Sequence, residues 1–154
     1  MAVMVTSNDA TEGPGGLAAA VVLGRIAIPG CAEHVRAARA FVAGVLRELA
    51  PPDDPVGHNA VLLASELVTN AIRHSRSGES GGSVTLATLQ DADGIRVEVT
   101  DDGSADDSPV VKDDAYTCDG HGLFLVEAVA DEWGYRREDD DGTTVWFRLG
   151  LAGG

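Results

Sequence analysis

Apolar residues recur along this chain in two periods, and the switches between them mark out its elements. Val35, Ala38, Phe41, Val42, Val45, Leu46 and Leu49 fall at three- and four-residue spacing, the stripe of a helix with one buried face. A short strand over residues 25–28, stopped by Pro29-Gly30, precedes it. Pro51-Pro52-Asp53-Asp54-Pro55 follows it, and prolines in that density forbid a helix and make a stiff turn. A second helix is predicted over about residues 57–74, with Val61, Ala64, Val68 and Ile72 on one face and Glu66, Thr69, Asn70 and Arg73 on another. The period then changes to two. Val84 and Leu86, and after them Ile95, Val97 and Val99, alternate with polar residues around Asp91-Ala92-Asp93-Gly94, the pattern of an antiparallel hairpin. A third helix is predicted from Leu123 to about Ala130, then two strands over residues 132–137 and 143–149 joined by Asp139-Asp140-Asp141-Gly142. This order predicts an α+β domain of two layers, a mixed, mostly antiparallel sheet covered on one face by three helices.

Two stretches carry no sustained period. Residues 1–22 are rich in Gly, Ala, Ser and Thr, with Pro14 between two glycines, and are expected to be a mobile leader ahead of a domain spanning 23–151. Residues 104–119 hold five aspartates and a proline, and a loop of that length inside a compact domain is usually functional or mobile.

Composition narrows the function classes. At 154 residues, 44% of them hydrophobic and 23% charged, the chain fits one ordinary globular domain. Twenty-five acidic residues against eleven basic ones give a net charge of −14, which repels phosphate backbones. The arginines are scattered singly or in pairs, so direct nucleic-acid binding is not expected and any effect on transcription would run through another protein. Cys31 and Cys118 form no CxxC pattern and read as two free thiols in a reducing cytoplasm. No apolar run approaches the ~18 to 20 residues of a membrane span. The segment 17–23 lacks the basic flank of a signal peptide, so a cytoplasmic protein is expected.

Four features could carry chemistry. Glu66 and Asn70 are four apart on a helix, with Arg73 further along the column, so a carboxylate, an amide and a guanidinium could serve Mg²⁺ and phosphate together; a solvated polar face reads the same way. Asp101 ends an apolar strand before Asp102-Gly103, where a carboxylate could accept a hydrogen bond from an exocyclic amine or simply face water in a turn. Gly120-His121-Gly122 opens a helix whose free N–H groups suit a phosphate chain. Gly142-Thr143-Thr144 starts the last strand. His74 and His121 could touch phosphate, or be ordinary helix-end and loop histidines. Trp133 and Trp146 read as sheet packing.

The succession ELVTNAIRHS, VEVTDDG, GHGLFLVEAVAD and GTTVWFRL, in that order over about residues 24–150, resembles the N, G1, G2 and final Thr boxes of the GHKL (Bergerat-fold) ATPases and kinases. Among these it is similar to the small stand-alone anti-sigma factor kinases of sporulation and stress response and their actinobacterial relatives. The resemblance implies ATP and Mg²⁺ as cofactors. It makes Glu66 the general base, Asn70 the Mg²⁺ ligand, and Asp101 the group that binds the adenine amine, with Gly103 letting the base sit against backbone. It places Gly120, His121, Gly122 and Leu123 along the phosphates, with Arg73 and His74 beside them, Thr143 at the adenine end, and residues 104–119 in an ATP lid. It implies a serine/threonine kinase that binds a sigma factor and phosphorylates an antagonist of the STAS type, with dimerisation through the first helix or a sheet edge.

Three positions depart from the pattern. Ala105 stands where a second glycine is expected, Cys118 where related kinases carry a basic residue, and Lys112 is the one cation among the lid's acids. A non-catalytic ATP-sensing module that sequesters a partner is therefore the alternative. A detached histidine kinase catalytic domain is a remote one, since the 22-residue leader is too short for a phosphoacceptor hairpin.

Overall fold

A computed structural model describes residues 3–6, 20–103, 121–139 and 142–151. Six strands and three α-helices follow one another as β1 (Val3–Thr6), β2 (Val21–Pro29), α1 (Val35–Val45), α2 (Pro55–His74), β3 (Ser83–Gln90), β4 (Gly94–Thr100), α3 (His121–Val129), β5 (Glu132–Arg137) and β6 (Thr143–Gly150). The strands make one sheet in the order β1-β5-β6-β4-β3-β2. All neighbours are antiparallel except β1, which runs parallel to β5. The expected mixed, mostly antiparallel sheet with a helical layer is what the chain forms.

The helices share one face of that sheet. α2 lies centrally against β4 and β6, flanked by α1 over β2 and β3 and by α3 over β5. Period two decides which side chains meet them. Val97 of β4 stands beside Phe147 of β6, which stands beside Trp133 of β5; Leu86 of β3 stands beside Val99. These residues belong to one core with Val42 and Leu46 from the α1 side and Leu63, Leu67 and Val68 from α2. Phe147 and Leu67 are among its largest fully buried side chains, and each such burial is worth about 1.5–3 kcal/mol.

Helix α2 starts where the prolines allow. Asp54 stays extended and accepts the Val56 N–H at 2.8 Å, while Pro55 occupies the first turn, where its missing N–H costs nothing. Both faces of α2 are more enclosed than its pattern suggests, because helices flank it on both sides: Ser65 and Asn70 are buried beside Ala64, Leu67 and Ala71. Helix α1 ends at Val45, short of Leu49, and the chain continues in hydrogen-bonded turns to Ala50.

Two boundaries differ from expectation. Within the stretch read as a leader, Val3–Thr6 forms an edge strand, and β2 begins at Val21. Four residues are too few to show a period, and the Ala/Gly-rich approach to β2 hides its first turn of alternation.

The helix-free face is ionic. Arg96 lies with its guanidinium carbon 3.8 Å from the centre of the Trp146 ring and bonds Glu98 at 2.8 Å. Arg136 bridges Glu98 at 3.5 Å and Glu138 at 3.0 Å. Burial pushes the Arg96 guanidinium below its ordinary pKa, with Glu98 opposing that shift. Trp133, by contrast, packs in the helix-side core and donates its indole N–H to Glu127 at 2.7 Å. Both tryptophans therefore pack on the sheet, on opposite faces.

Candidate functional site

Two of the sequence features, Asp101 and Thr143, meet at one end of the sheet, where β4 stops, β6 starts and the loop after α2 arrives. Asp101, the first residue past β4, is 4% exposed. Its N–H donates to the Thr143 carbonyl at 2.9 Å, and its Oδ1 accepts the Thr143 N–H at 3.1 Å and the Gly103 N–H at 2.8 Å. One carboxylate thus closes a ring between two strands and caps the turn that follows. Gly103 has φ +100°, a backbone state that side chains resist, so the turn requires glycine there. The solvated-turn reading of Asp101 does not hold: this acid is built into the fold.

Thr143 is fully buried, and its hydroxyl has no hydrogen-bond partner among the described residues. Its neighbour Thr144 contacts the Thr100 hydroxyl at 2.7 Å and donates to Glu138 at 2.5 Å, so the two adjacent threonines differ sharply in satisfaction.

On α2, Glu66 is half-buried and Asn70, one turn on, is 4% exposed. The Nδ2 of Asn70 is buried and has no partner among the described residues. Buried amides are normally bonded, and leaving one unpaired costs about 1–3 kcal/mol. A half-turn of the terminal torsion exchanges its oxygen and nitrogen, so the same position can offer a lone pair to a cation or an N–H to a phosphate. Arg73 is exposed and His74 half-buried in the last turn of the helix.

Residues 75–82, the polar and glycine-containing connection between α2 and β3, take part in this end of the sheet. Ser77 is fully buried and its hydroxyl accepts the Asp102 N–H at 2.9 Å, tying the end of α2 to the Asp101 turn. The Ser-x-Ser spacing just past a helix end is the available signal, since such hydroxyls bond nearby backbone.

Helix α3 begins at His121 and packs against α2, so the backbone of His121, Gly122 and Leu123 forms its first turn. That is two residues earlier than the pattern predicts. Gly120, Ala105, Lys112, Cys118 and the expected lid lie outside the described residues. A second concavity of about 620 Å³ opens on the helix-free face, between Arg25, Leu89, Glu98, Arg136 and Glu138, and reaches Thr100, the residue before Asp101. Arg136 of its lining also has a buried nitrogen, Nη1, with no partner among the described residues, so it is the motif residues that single out the helix-side site.

The profile of the histidine kinase-like ATPase domain matches residues 28–149. The chain belongs to this family. It is also 26% identical over 116 residues to the serine-protein kinase RsbW of Listeria monocytogenes serovar 1/2a, covering 68% of this chain and 73% of that protein. The RsbW proteins of serotypes 4a and 4b are 25% identical over the same share. The sheet-and-helix architecture above is the one the family assignment requires, and the four motif segments fall inside the matched stretch. Among the described residues no helix is long and apolar enough to cross a membrane.

The residues fit an adenine nucleotide and a hard cation. Two of those singled out, Thr143 and Asn70, hold buried polar atoms lacking partners among the described residues, and a third, Asp101, is a carboxylate fixed at the strand tip. Asn70 and Glu66 would share the cation end, and Asp101, Gly103 and Thr143 the base end. A bound Mg²⁺ would draw charge from the phosphates.

Proposed function

We propose that this protein is an ATP-dependent serine/threonine protein kinase of the anti-sigma factor type, holding a sigma factor by direct contact and phosphorylating a STAS-type antagonist of that interaction. The observation that carries the proposal is the Asn70 amide, buried without a partner among the described residues, one helical turn from the half-buried carboxylate of Glu66. Such an arrangement costs stability unless a ligand completes it. The similarity to the serine-protein kinase RsbW supports the choice of a serine as acceptor. The net charge of −14 supports a protein partner over a nucleic acid.

In this reading Glu66 accepts the proton of the incoming hydroxyl, while Asn70 holds the phosphate end through its cation. Asp101 accepts the adenine amine, and Gly103 lets the ring approach backbone. The helix dipole of α3, directed from His121 onward, favours the negative charge of the phosphates. Phosphoryl transfer asks for little more than positioning, charge neutralisation and a base.

The test is transfer of the γ-phosphate to candidate STAS-type antagonists by the wild type and by Glu66→Ala. Loss of a general base is expected to slow transfer by about 10²–10⁴-fold, with ATP affinity held within about threefold. If the wild type binds ATP and Mg²⁺ yet labels no antagonist, the kinase reading fails. The departures at Ala105 and Cys118 would then mark an ATP-sensing module that sequesters its partner without chemistry.

A further inference from the structure

We infer that Ser77 is a positioning residue for the Asp101 carboxylate, so that the loop after α2 helps to set how well the site tells adenine from other purines. The inference rests on the nucleotide reading above and concerns its base end.

The Asp102 N–H belongs to the peptide plane that joins Asp101 to Asp102, so a bond to it fixes the orientation of that plane and hence the backbone from which the Asp101 side chain departs. Ser77 makes that bond at 2.9 Å from a fully buried position. Ser77 is in turn held on its own side. Its N–H donates to the Ser75 hydroxyl at 3.0 Å, and the Ser75 hydroxyl donates to the Ala71 carbonyl of α2 at 2.6 Å. From the sheet side Gly30 presses on it so closely that a Cβ there would stand 1.6 Å from the Ser77 carbonyl oxygen. Asp102 is pinned a second time, because its Oδ2 accepts the Ser83 N–H at 2.8 Å.

Asp101 therefore has two anchors. Thr143 fixes it to β6, and Ser77 fixes the following peptide to the helix that carries Glu66 and Asn70. A carboxylate aimed this way accepts from an exocyclic amine and repels the carbonyl oxygen that inosine carries at the same place. Buried polar groups discriminate strongly between a partner that bonds them and one that does not. Removing the Ser77 hydroxyl frees the peptide plane and blunts the aim without touching the base itself.

The experiment compares ATP and inosine triphosphate binding to the wild type, Ser77→Ala and Arg148→Ala at low temperature, with the melting temperature of each. Arg148 pairs with Asp91 at the far end of the hairpin, so its variant reports what mere destabilisation does. Ser77→Ala is expected to weaken ATP by about five- to tenfold and inosine triphosphate by less than about twofold, while Arg148→Ala leaves the ratio intact. An unchanged ratio in Ser77→Ala overturns the inference while leaving the nucleotide reading standing. Binding of neither nucleotide by the wild type sinks that reading and this inference with it. Should Ser77→Ala fail to fold, hydrogen exchange on the wild type decides. The Asp102 amide is expected to be protected, and further protected by ATP but not by inorganic triphosphate; free exchange at Asp102 overturns the inference.

Discussion

The two ends of the site are built on opposite principles. At the base end, Asp101 has an N–H and a carboxylate oxygen bound to β6, and the adjoining Asp102 is tied to the loop after α2 and to the start of β3. At the cation end, the Asn70 amide is buried with its Nδ2 lacking a partner among the described residues. Folding completes the first end and leaves the second to be completed by something else. The difference teaches where recognition and chemistry separate: a base is read best by a group that cannot move, whereas a metal and a phosphate chain bring their own ligands and need only an opening. It also implies that substitutions at the two ends should fail differently, one in stability and the other in binding.

The largest expected effect is on stability at the base end. Asp101→Ala strips the acceptor from two buried N–H groups, those of Gly103 and Thr143. At roughly 1–3 kcal/mol for each orphaned donor, about 3 kcal/mol of stability is expected to go, lowering the melting temperature by about 6–12 °C for a chain of this size. Asp101→Asn keeps an oxygen for those bonds and should melt within a few degrees of wild type, yet lose ATP affinity, because an NH₂ donor then stands where the second carboxylate oxygen would accept from the adenine amine. Thermal melts of the pair, read beside calorimetric ATP titrations, check this. Equal melting of Asp101→Ala and wild type would show that the turn is held by other bonds and that the base end is not pinned as drawn.

The cation end should reverse that order. Asn70→Ala removes a buried amide whose Nδ2 has no partner among the described residues, so the lost packing is offset by relief of an unsatisfied group. Its melting temperature is expected to stay within about 3 °C of wild type, while Mg²⁺-dependent ATP affinity falls at least about tenfold, or about 1.4 kcal/mol. A variant that binds ATP normally, with or without Mg²⁺, would remove Asn70 from the site.

The same contrast explains what could be read from the sequence. The base end was legible in its residues, because a strand that ends in Asp-Asp-Gly and another that starts in Gly-Thr-Thr are marked by a change of period. Its bonds were not, since nothing in the local pattern says that Asp101 and Thr143, 42 positions apart, exchange hydrogen bonds. Glu66 and Asn70 were legible as a polar column, but their enclosure was not. Burial of Asn70 depends on helices on both sides of α2, which is a tertiary fact. Strand β1 escaped because Val-Met-Val-Thr is too short to carry a period, and Ser77 because its Ser-x-Ser spacing signals a local turn and not the bond to Asp102, 25 positions on. The ionic ladder of Arg96, Glu98 and Arg136 joins two strands that are not neighbours in sequence, so the alternation within each strand does not reveal it, nor that Arg96 and Trp146 shield one another on that face.

The smallest effect belongs to the residue that shares both principles. Thr143 has a backbone pinned by Asp101 and a side chain with a buried hydroxyl that lacks a partner among the described residues. Thr143→Val keeps the shape and the backbone bonds and deletes only that hydroxyl. If the hydroxyl waits for nucleotide, its removal relieves an unsatisfied group in the free protein, and the melting temperature is expected to hold or rise by up to about 3 °C, corresponding to about 1 kcal/mol. ATP affinity is expected to fall by about three- to fivefold, the worth of one ordinary hydrogen bond. The two signs together are the point of the measurement, because a hydroxyl that served only the fold would lower stability and leave binding alone. Loss of stability with unaltered ATP affinity would therefore move Thr143 out of the site and leave Asp101 and Gly103 to hold the base end by themselves.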